Sequence, residues 1–264
     1  MEHHIAPQRA TAAHGLAKLA GVVFGLAGLV AAAFAASEAL QTSPLSLLSS
    51  RLIMREPFPQ EVLDEFGQRA ARYQAVGGCS VSAHAGSALL RAVSAERALA
   101  TAADLDSRMD ALGTSASALL KCAPTMGFGW FALYWVELNR FGPSQRALSY
   151  LDMSYRVTPH EAWVALMRNQ VAIRLLPSLS PQTRAAVLDE WRDILKAGLF
   201  DHAARVLVHA DPARRSELIA ATASLDPATL KWLPVHLNRL GLEIELPGAA
   251  ESSPPKRDRY RPFQ

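Results

Sequence analysis

The chain has 264 residues, half of them hydrophobic, which is ample apolar material for a packed core and excludes disorder over most of its length. Two of its three net positive charges fall in the last fourteen residues, where Lys256, Arg257, Arg259 and Arg261 outnumber Glu251 and Asp258. The remainder is nearly neutral and lacks the basic face that nucleic acid requires, so no nucleic-acid partner is expected.

Residues 1–18 are polar, carry Arg9 and Lys18, and read as a cytoplasmic N-terminal tail. An uncharged run then extends from Leu19 to Ala36. Eighteen residues at about 1.5 Å each cover about 27 Å, close to the roughly 30 Å of a bilayer core, so residues 19–36 are expected to be a transmembrane helix. Ala33-Phe34-Ala35 also resembles the small-x-small site of a cleavable signal peptide. Both readings stay open, and the length of the run favours a retained anchor. Lys18 lies before the span and no Lys or Arg follows it until Arg51, which favours a cytoplasmic N-terminus and a C-terminal domain on the other side. Gly21 and Gly25 continue a four-residue spacing from Ala17, with Gly28 near the same face. Such spacing allows close helix packing and a homodimer through the span.

Residues 37–58 are expected to be a linker, because Pro44, Pro57 and Ser43, Ser46, Ser49 and Ser50 interrupt it. Its Leu45–Leu48 and Leu52–Met54 runs could form a short helix. An all-α helical domain is expected over 59–247. Its first helix opens at Pro59 with Val62, Leu63, Phe66, Ala70 and Tyr73 as the buried stripe, and ends at Gly77-Gly78. Helices through Ser87–Ala102 and Leu105–Cys122 follow, the first with Leu89, Leu90, Val93 and Leu99 inward. Nine of the nineteen aromatic residues lie between Phe128 and Trp163, marking the main core. There Trp130, Leu133, Tyr134, Leu138 and Phe141 form one helical stripe, and Ala147, Leu148, Leu151 and Tyr155 form the next. Helices over Glu161–Leu176 and after Ser180-Pro181 come next, followed by shorter ones at about 200–209, 212–224 and 227–240. Only Leu242–Leu246 has any strand character, and 248–264 reads as a disordered tail.

Two cysteines, Cys79 and Cys122, are most simply one disulfide if the domain lies outside the cytoplasm, worth about 3–4 kcal/mol by loop entropy; the alternative is two buried thiols. His160-Glu161 begins like a zinc motif, but Val164 stands where the second histidine belongs. His202 and His209 have no third ligand nearby, and Gly127-Phe-Gly129 lacks its third glycine. No metal, cofactor or catalytic site is therefore expected, and no enzyme activity is supported. The candidates are instead polar residues within the helical hairpins: Arg140, Asp152, Arg156, Glu161, Arg168, Asn169 and Arg174. Arg168 and Asn169, with Arg156 and Glu161, are the expected contacts for a protein partner.

Trp130-x-x-Leu133 recurs as Trp163-x-x-Leu166 after 33 residues, and Ala147, Leu151, Ser154 and Pro159 follow in a small, large, small, proline order. The stretch resembles a tetratricopeptide-like repeat over about 126–159 and part of 160–197, though Tyr134 replaces the usual small residue and Pro159 comes one position late. Together with Cys122-Ala-Pro124 and Leu151-Asp-Met-Ser-Tyr155, the pattern is similar to membrane-anchored, tetratricopeptide-like proteins of bacterial exopolysaccharide clusters. That resemblance implies a single-pass inner-membrane scaffold with a periplasmic repeat domain, serving polysaccharide assembly or export by binding membrane protein partners. The alternative is a glycan-binding or glycan-processing periplasmic domain, which requires Trp130, Tyr134 and Trp163 to form an exposed aromatic strip.

Overall fold

A computed structural model of the chain describes residues 8–54, 56–75, 77–101, 104–244 and 246, with side chains from residue 18 onward except those at 38 and 41. The protein is all-helical, with no strand among the described residues. Its helices are α1 (Gln8–Ile53), α2 (Gln60–Ala75), α3 (Val81–Thr101), α4 (Leu105–Cys122), α5 (Gly127–Phe141), α6 (Gln145–Val157) and α7 (Ala162–Arg174), then α8 (Pro181–Lys196), α9 (Phe200–His209), α10 (Pro212–Ala221), α11 (Pro227–Leu230) and α12 (Leu233–Arg239). They divide into two compact units, residues 1–90 and 91–264, and the division falls within α3.

In the first unit, α1 is apolar all round in its membrane-length part and one-sided after it. Leu19, Val22, Phe24, Leu26, Leu29, Val30 and Phe34 are all exposed, on every side of the helix. A helix with that pattern has no water-facing side, and this is the one helix among the described residues long and apolar enough to cross a membrane. From Thr42 onward the pattern changes: Thr42, Leu45, Leu48 and Leu52 are buried while Leu47 and Ser50 stay exposed. Leu45 joins Ala70, Tyr73 and Ala83 in a core cluster flanked by Phe66. Gly86 of α3 lies so near α1 that a Cβ there would sit 2.7 Å from the Leu45 carbonyl oxygen.

The expected linker over 37–58 is thus helical as far as Ile53. Pro44 lacks one backbone donor but does not end the helix, and three of the serines that suggested a break bond back into it: Ser46 to the Ser43 carbonyl at 2.9 Å, Ser49 to Ser46 at 2.7 Å and Ser50 to Leu47 at 2.8 Å. The second helix follows its expected stripe, burying Leu63, Ala70 and Tyr73, and Gly77 at φ 72° allows the left-handed turn after it. Residues 1–7 of the expected N-terminal tail and the expected tail over 248–264 lie outside the described residues.

In the second unit, α4 packs on α5, α5 on α6 and α7 on α8, while α5 also meets α7 and α6 meets α8. Met109, Leu112 and Ala116 of α4 close on Ala132 and Val136 of α5, with Ala95 of α3. The α5/α6 hairpin turns at Gly142, whose φ of 73° an L side chain rarely adopts, and Ser144 caps α6 by accepting the Ala147 N–H at 3.1 Å. The hairpin's other end is equally close: Ser154 donates to the Gly127 carbonyl at 2.8 Å, and a Cβ on Gly127 would collide with the Thr158 side chain.

The buried stripe of α5 is rotated from the expected one. Phe128, Phe131, Ala132, Tyr134 and Val136 are inside, whereas Trp130 and Leu133 are half-buried and Phe141 is exposed. The difference arises because α5 is covered by three helices, and Phe141 ends the helix at the turn, beyond their reach. Leu99, expected inward, is exposed near the end of α3. Ser180 and Asp211 cap α8 and α10 as expected, each accepting a backbone N–H three residues on. The expected helix over 227–240 is two, α11 and α12, parted ahead of Pro234, and Leu242–Ile244 forms no strand.

Leu45 is the residue that seats α1 on its own unit. Leu45→Ala is expected to destabilise that unit by about 2–5 kcal/mol, read as faster hydrogen exchange in α2, whereas Leu47→Ala on the exposed side leaves α2 exchange unchanged.

Candidate functional site

The polar residues of the hairpin region sort into two layers, a buried bond network and an open groove above it. Val164, Ala165, Ala172 and Ile173 form the inward stripe of α7, and Arg168 and Asn169 lie on that same stripe, both fully buried. On α8, Val187, Trp191 and Ile194 face inward, and Glu190 sits among them. Two helices therefore bring opposite charges into one interior.

The Glu190 carboxylate is satisfied at both oxygens. Arg168 donates to Oε1 from Nε at 2.8 Å and from Nη2 at 2.6 Å. Tyr155 Oη donates to Oε2 at 2.8 Å, and Asn169 Nδ2 reaches the same oxygen at 3.2 Å while also bonding the Val187 carbonyl at 3.0 Å. The guanidinium spends its other donors on the last turn of α6: Nη1 bonds the Ser154 carbonyl at 2.7 Å and Nη2 the Thr158 carbonyl at 2.8 Å. A cation there also suits the negative end of the helix dipole. Its plane lies over the Tyr155 ring, 4.0 Å from the centroid. Burial first, and the neighbouring Glu190 charge second, push the Tyr155 phenol well above its ordinary pKa. Burial alone does the same to Tyr134, against a small opposing effect of Arg174.

Arg168 and Asn169, the expected partner contacts, are interior instead. The reason is tertiary: the guanidinium finds its carboxylate on another helix, 22 residues away. Only the residues' own stripe carried a signal in the sequence, since Val164, Arg168 and Ala172 share one face, as do Val187, Glu190 and Trp191.

Above the network lies an open groove of about 690 Å³ between α6 and α8. Gln145, Ser149, Asp152 and Arg156 form one wall, Gln182, Thr183 and Ala186 the other, with Ser178 to Ser180 closing one end and Tyr155 lining it near the buried network. The walls are tied together: Thr183 Oγ1 donates to Asp152 Oδ1 at 2.6 Å and exchanges a 2.8 Å bond with Ser180, while Arg156 pairs with the other Asp152 oxygen. Arg156 thus stands in the groove with its side chain 68% exposed. Glu161, also expected as a contact, precedes α7 and accepts the Trp163 indole N–H at 2.7 Å. Arg140 pairs with Asp110. The residues that sequence reasoning missed, Ser149, Gln182, Thr183 and Glu190, belong to faces that only the packing of α6 on α8 defines.

Of the three aromatics proposed as a sugar-stacking strip, Tyr134 is fully buried. Trp130 and Trp163 are half-buried and engaged internally: Trp130 donates to the Pro124 carbonyl at 2.8 Å and lies against Tyr150, and Trp163 packs on Phe128 with ring centroids 4.8 Å apart. His160 faces Asp193 at 3.5 Å, and His202 and His209 are not gathered with other ligands; among the described residues no group of His, Cys, Asp or Glu could hold a metal. Both cysteines are disulfide-bonded and neither is a free thiol. Gly21, Gly25 and Gly28 face open space. Comparison with known proteins finds no matching family model, no matching curated protein and no matching solved structure.

Two outcomes follow from the buried network. Arg168→Ala strands the Glu190 charge and is expected to cost about 3–5 kcal/mol in denaturant unfolding, whereas the double change Arg168→Met with Glu190→Leu recovers most of that loss. The second concerns alkaline pH. A tyrosine whose folded pKa is raised contributes stability that is complete below its unfolded value of about 10 and is lost as pH rises through the folded value. Stability is therefore expected to fall above about pH 10, and Tyr134→Phe, which deletes a buried hydroxyl with no hydrogen-bond partner, reduces that fall without cost at neutral pH.

Proposed function

We propose that this protein is a membrane-anchored, tetratricopeptide-like scaffold that docks a protein partner in the α6/α8 groove. The observation that carries the reading is the contrast between the two layers of the site. Below, a bonded Arg168–Glu190 pair holds α6, α7 and α8 in fixed relation; above, polar side chains together with Leu148, Leu179 and Ala186, in no acid/base or nucleophile arrangement, line an open groove. A rigid, concave, chemically quiet surface is suited to recognition rather than to bond making.

Three further features support the reading. The α5/α6 and α7/α8 hairpins stack with first helix on first helix and second on second, as tetratricopeptide-like repeats do. The apolar part of α1 is exposed on every side, as expected of a helix surrounded by lipid; its flanking charges favour a cytoplasmic N-terminus, and the proposal puts the repeat domain in the periplasm. Its cysteines, both bonded, suit an oxidising compartment. The resemblance to exopolysaccharide-cluster proteins suggests partners from polysaccharide assembly or export in a bacterial inner membrane. Engagement of Trp130, Tyr134 and Trp163 inside the hairpins weighs against the glycan-binding alternative.

An affinity capture from detergent-solubilised membranes tests the proposal, comparing the intact chain with the groove variant Arg156→Glu. The variant alters an exposed side chain and is expected to keep its helical circular dichroism. Capture of a specific membrane protein by the intact chain, reduced at least about ten-fold by the variant, as losing one interfacial ion pair allows, supports the docking groove. Equal capture by both overturns it, and binding of purified polysaccharide by the soluble domain in place of protein capture restores the glycan alternative.

A further inference from the structure

The helix α1 is longer than a membrane is thick. Its hydrophobic stretch, with Glu38 and Arg51 inside it, runs over 36 residues from Lys18 to Ile53. At about 1.5 Å per residue that is about 54 Å, against roughly 30 Å of hydrocarbon. Placing all of it in lipid would demand a tilt of about 55°, beyond the range of about 0–40° that spanning helices adopt. Part of the helix must stand in water.

The residues in that part divide sharply between two sides. Leu45 is buried in the core cluster of its own unit, and Thr42, Leu48 and Leu52 are buried on the same side of the helix. On the opposite side Leu40 and Leu47 are 77% and 65% exposed, and Met54, one residue past the end of α1 with its N–H still bonded to the Ser50 carbonyl at 3.2 Å, is 76% exposed. They are spaced by seven, and exposed Ser43 and Ser50 fall three residues after the first two. This is the spacing of a coiled-coil seam, with large apolar residues at one core position and small ones at the other. The same register continues back through exposed Ala36, Ala33, Leu29, Leu26, Val22 and Leu19 without a charge. Inside the apolar run any face is uncharged, so the selection is made by Leu40, Leu47 and Met54, which lie among serines.

We propose that this face of α1 is the seam of a parallel two-stranded coiled coil with a second copy of the chain, with Leu40, Leu47 and Met54 at its water-exposed end. The inference rests on the membrane-anchor reading and is independent of the docking groove. A second copy is the occupant because two identical helices held in one bilayer with one orientation present the same residues at the same depth. Leu47 meets Leu47, Met54 meets Met54, and no charge on the seam opposes the pairing. A strict seven-residue repeat supercoils the pair to the left, which distinguishes it from the right-handed crossing that Gly21, Gly25 and Gly28 would make on another face.

Single-cysteine cross-linking of the full-length chain in native membranes tests this, since both natural cysteines are bonded and an introduced thiol is the reactive one. Under a mild oxidant, Ser43→Cys, Leu47→Cys and Ser50→Cys are expected to give a disulfide-linked dimer several-fold more strongly than Ser46→Cys and Ser49→Cys. Alkaline carbonate extraction of the same membranes reports the anchor separately. A chain that stays in the pellet but cross-links nowhere, or equally at all five positions, overturns the coiled coil while leaving the anchor standing. Release into the supernatant overturns both. If replacing Gly21, Gly25 and Gly28 together by isoleucine abolishes the Leu47→Cys cross-link, the glycine face holds the copies together and the leucine seam is wrong.

Discussion

The Arg168–Glu190 pair is the constraint on which the second unit depends. Taking two charges out of water is costly, and the pair is tolerable because the polar atoms of the two charged groups themselves are bonded: two guanidinium bonds on one carboxylate oxygen, a phenol and an amide on the other, and the remaining guanidinium donors on the final carbonyls of α6. Apolar contacts slide with little penalty, but these bonds fix three helices to within hydrogen-bond tolerance. They specify the relative placement of α6, α7 and α8 more than they add to stability, and the groove takes its shape from that placement.

The groove lies between second helices of successive hairpins, whereas the sequence pattern directs attention to first helices. On the first-helix side the stacking surfaces are filled: Phe128 packs on Trp163, and Trp130 is tied to the Pro124 carbonyl. On the second-helix side α6 and α8 diverge enough to leave an open space, where Asp152 and Thr183 bridge the walls. A partner docking there would meet side chains already oriented by internal bonds, so little conformational entropy is lost on binding.

In the first unit, one helix changes its environment along its length. Through Phe34 its apolar side chains point outward on all sides, over a length and composition that suffice to cross a membrane. From Thr42 it offers one side to α2 and α3 and leaves a spaced row of apolar residues on the other. Because the helix is unbroken through Pro44, the membrane-length part and the packed part share one backbone, and the azimuth of one determines that of the other.

The sequence by itself determined the helical class, most helix boundaries, the caps at Ser180 and Asp211, and the apolar run of α1. These features depend on spacing, proline and glycine conformational limits, and hydrogen bonds within three or four residues. It misplaced two of its candidate polar residues: a charge after a Trp-x-x-Leu motif looks exposed until its partner is known. Only the tertiary structure decided that Arg168 and Asn169 are interior, because Glu190 approaches from a separate helix. The same holds for the rotated stripe of α5, which is set by three covering helices including the more distant α7, and for the continuation of α1 through its serines, which local propensity reads as a break and packing against Ala70, Tyr73 and Ala83 supports as a helix. Local rules name the elements; burial of one element by another, which no short window of sequence contains, assigns each side chain its environment.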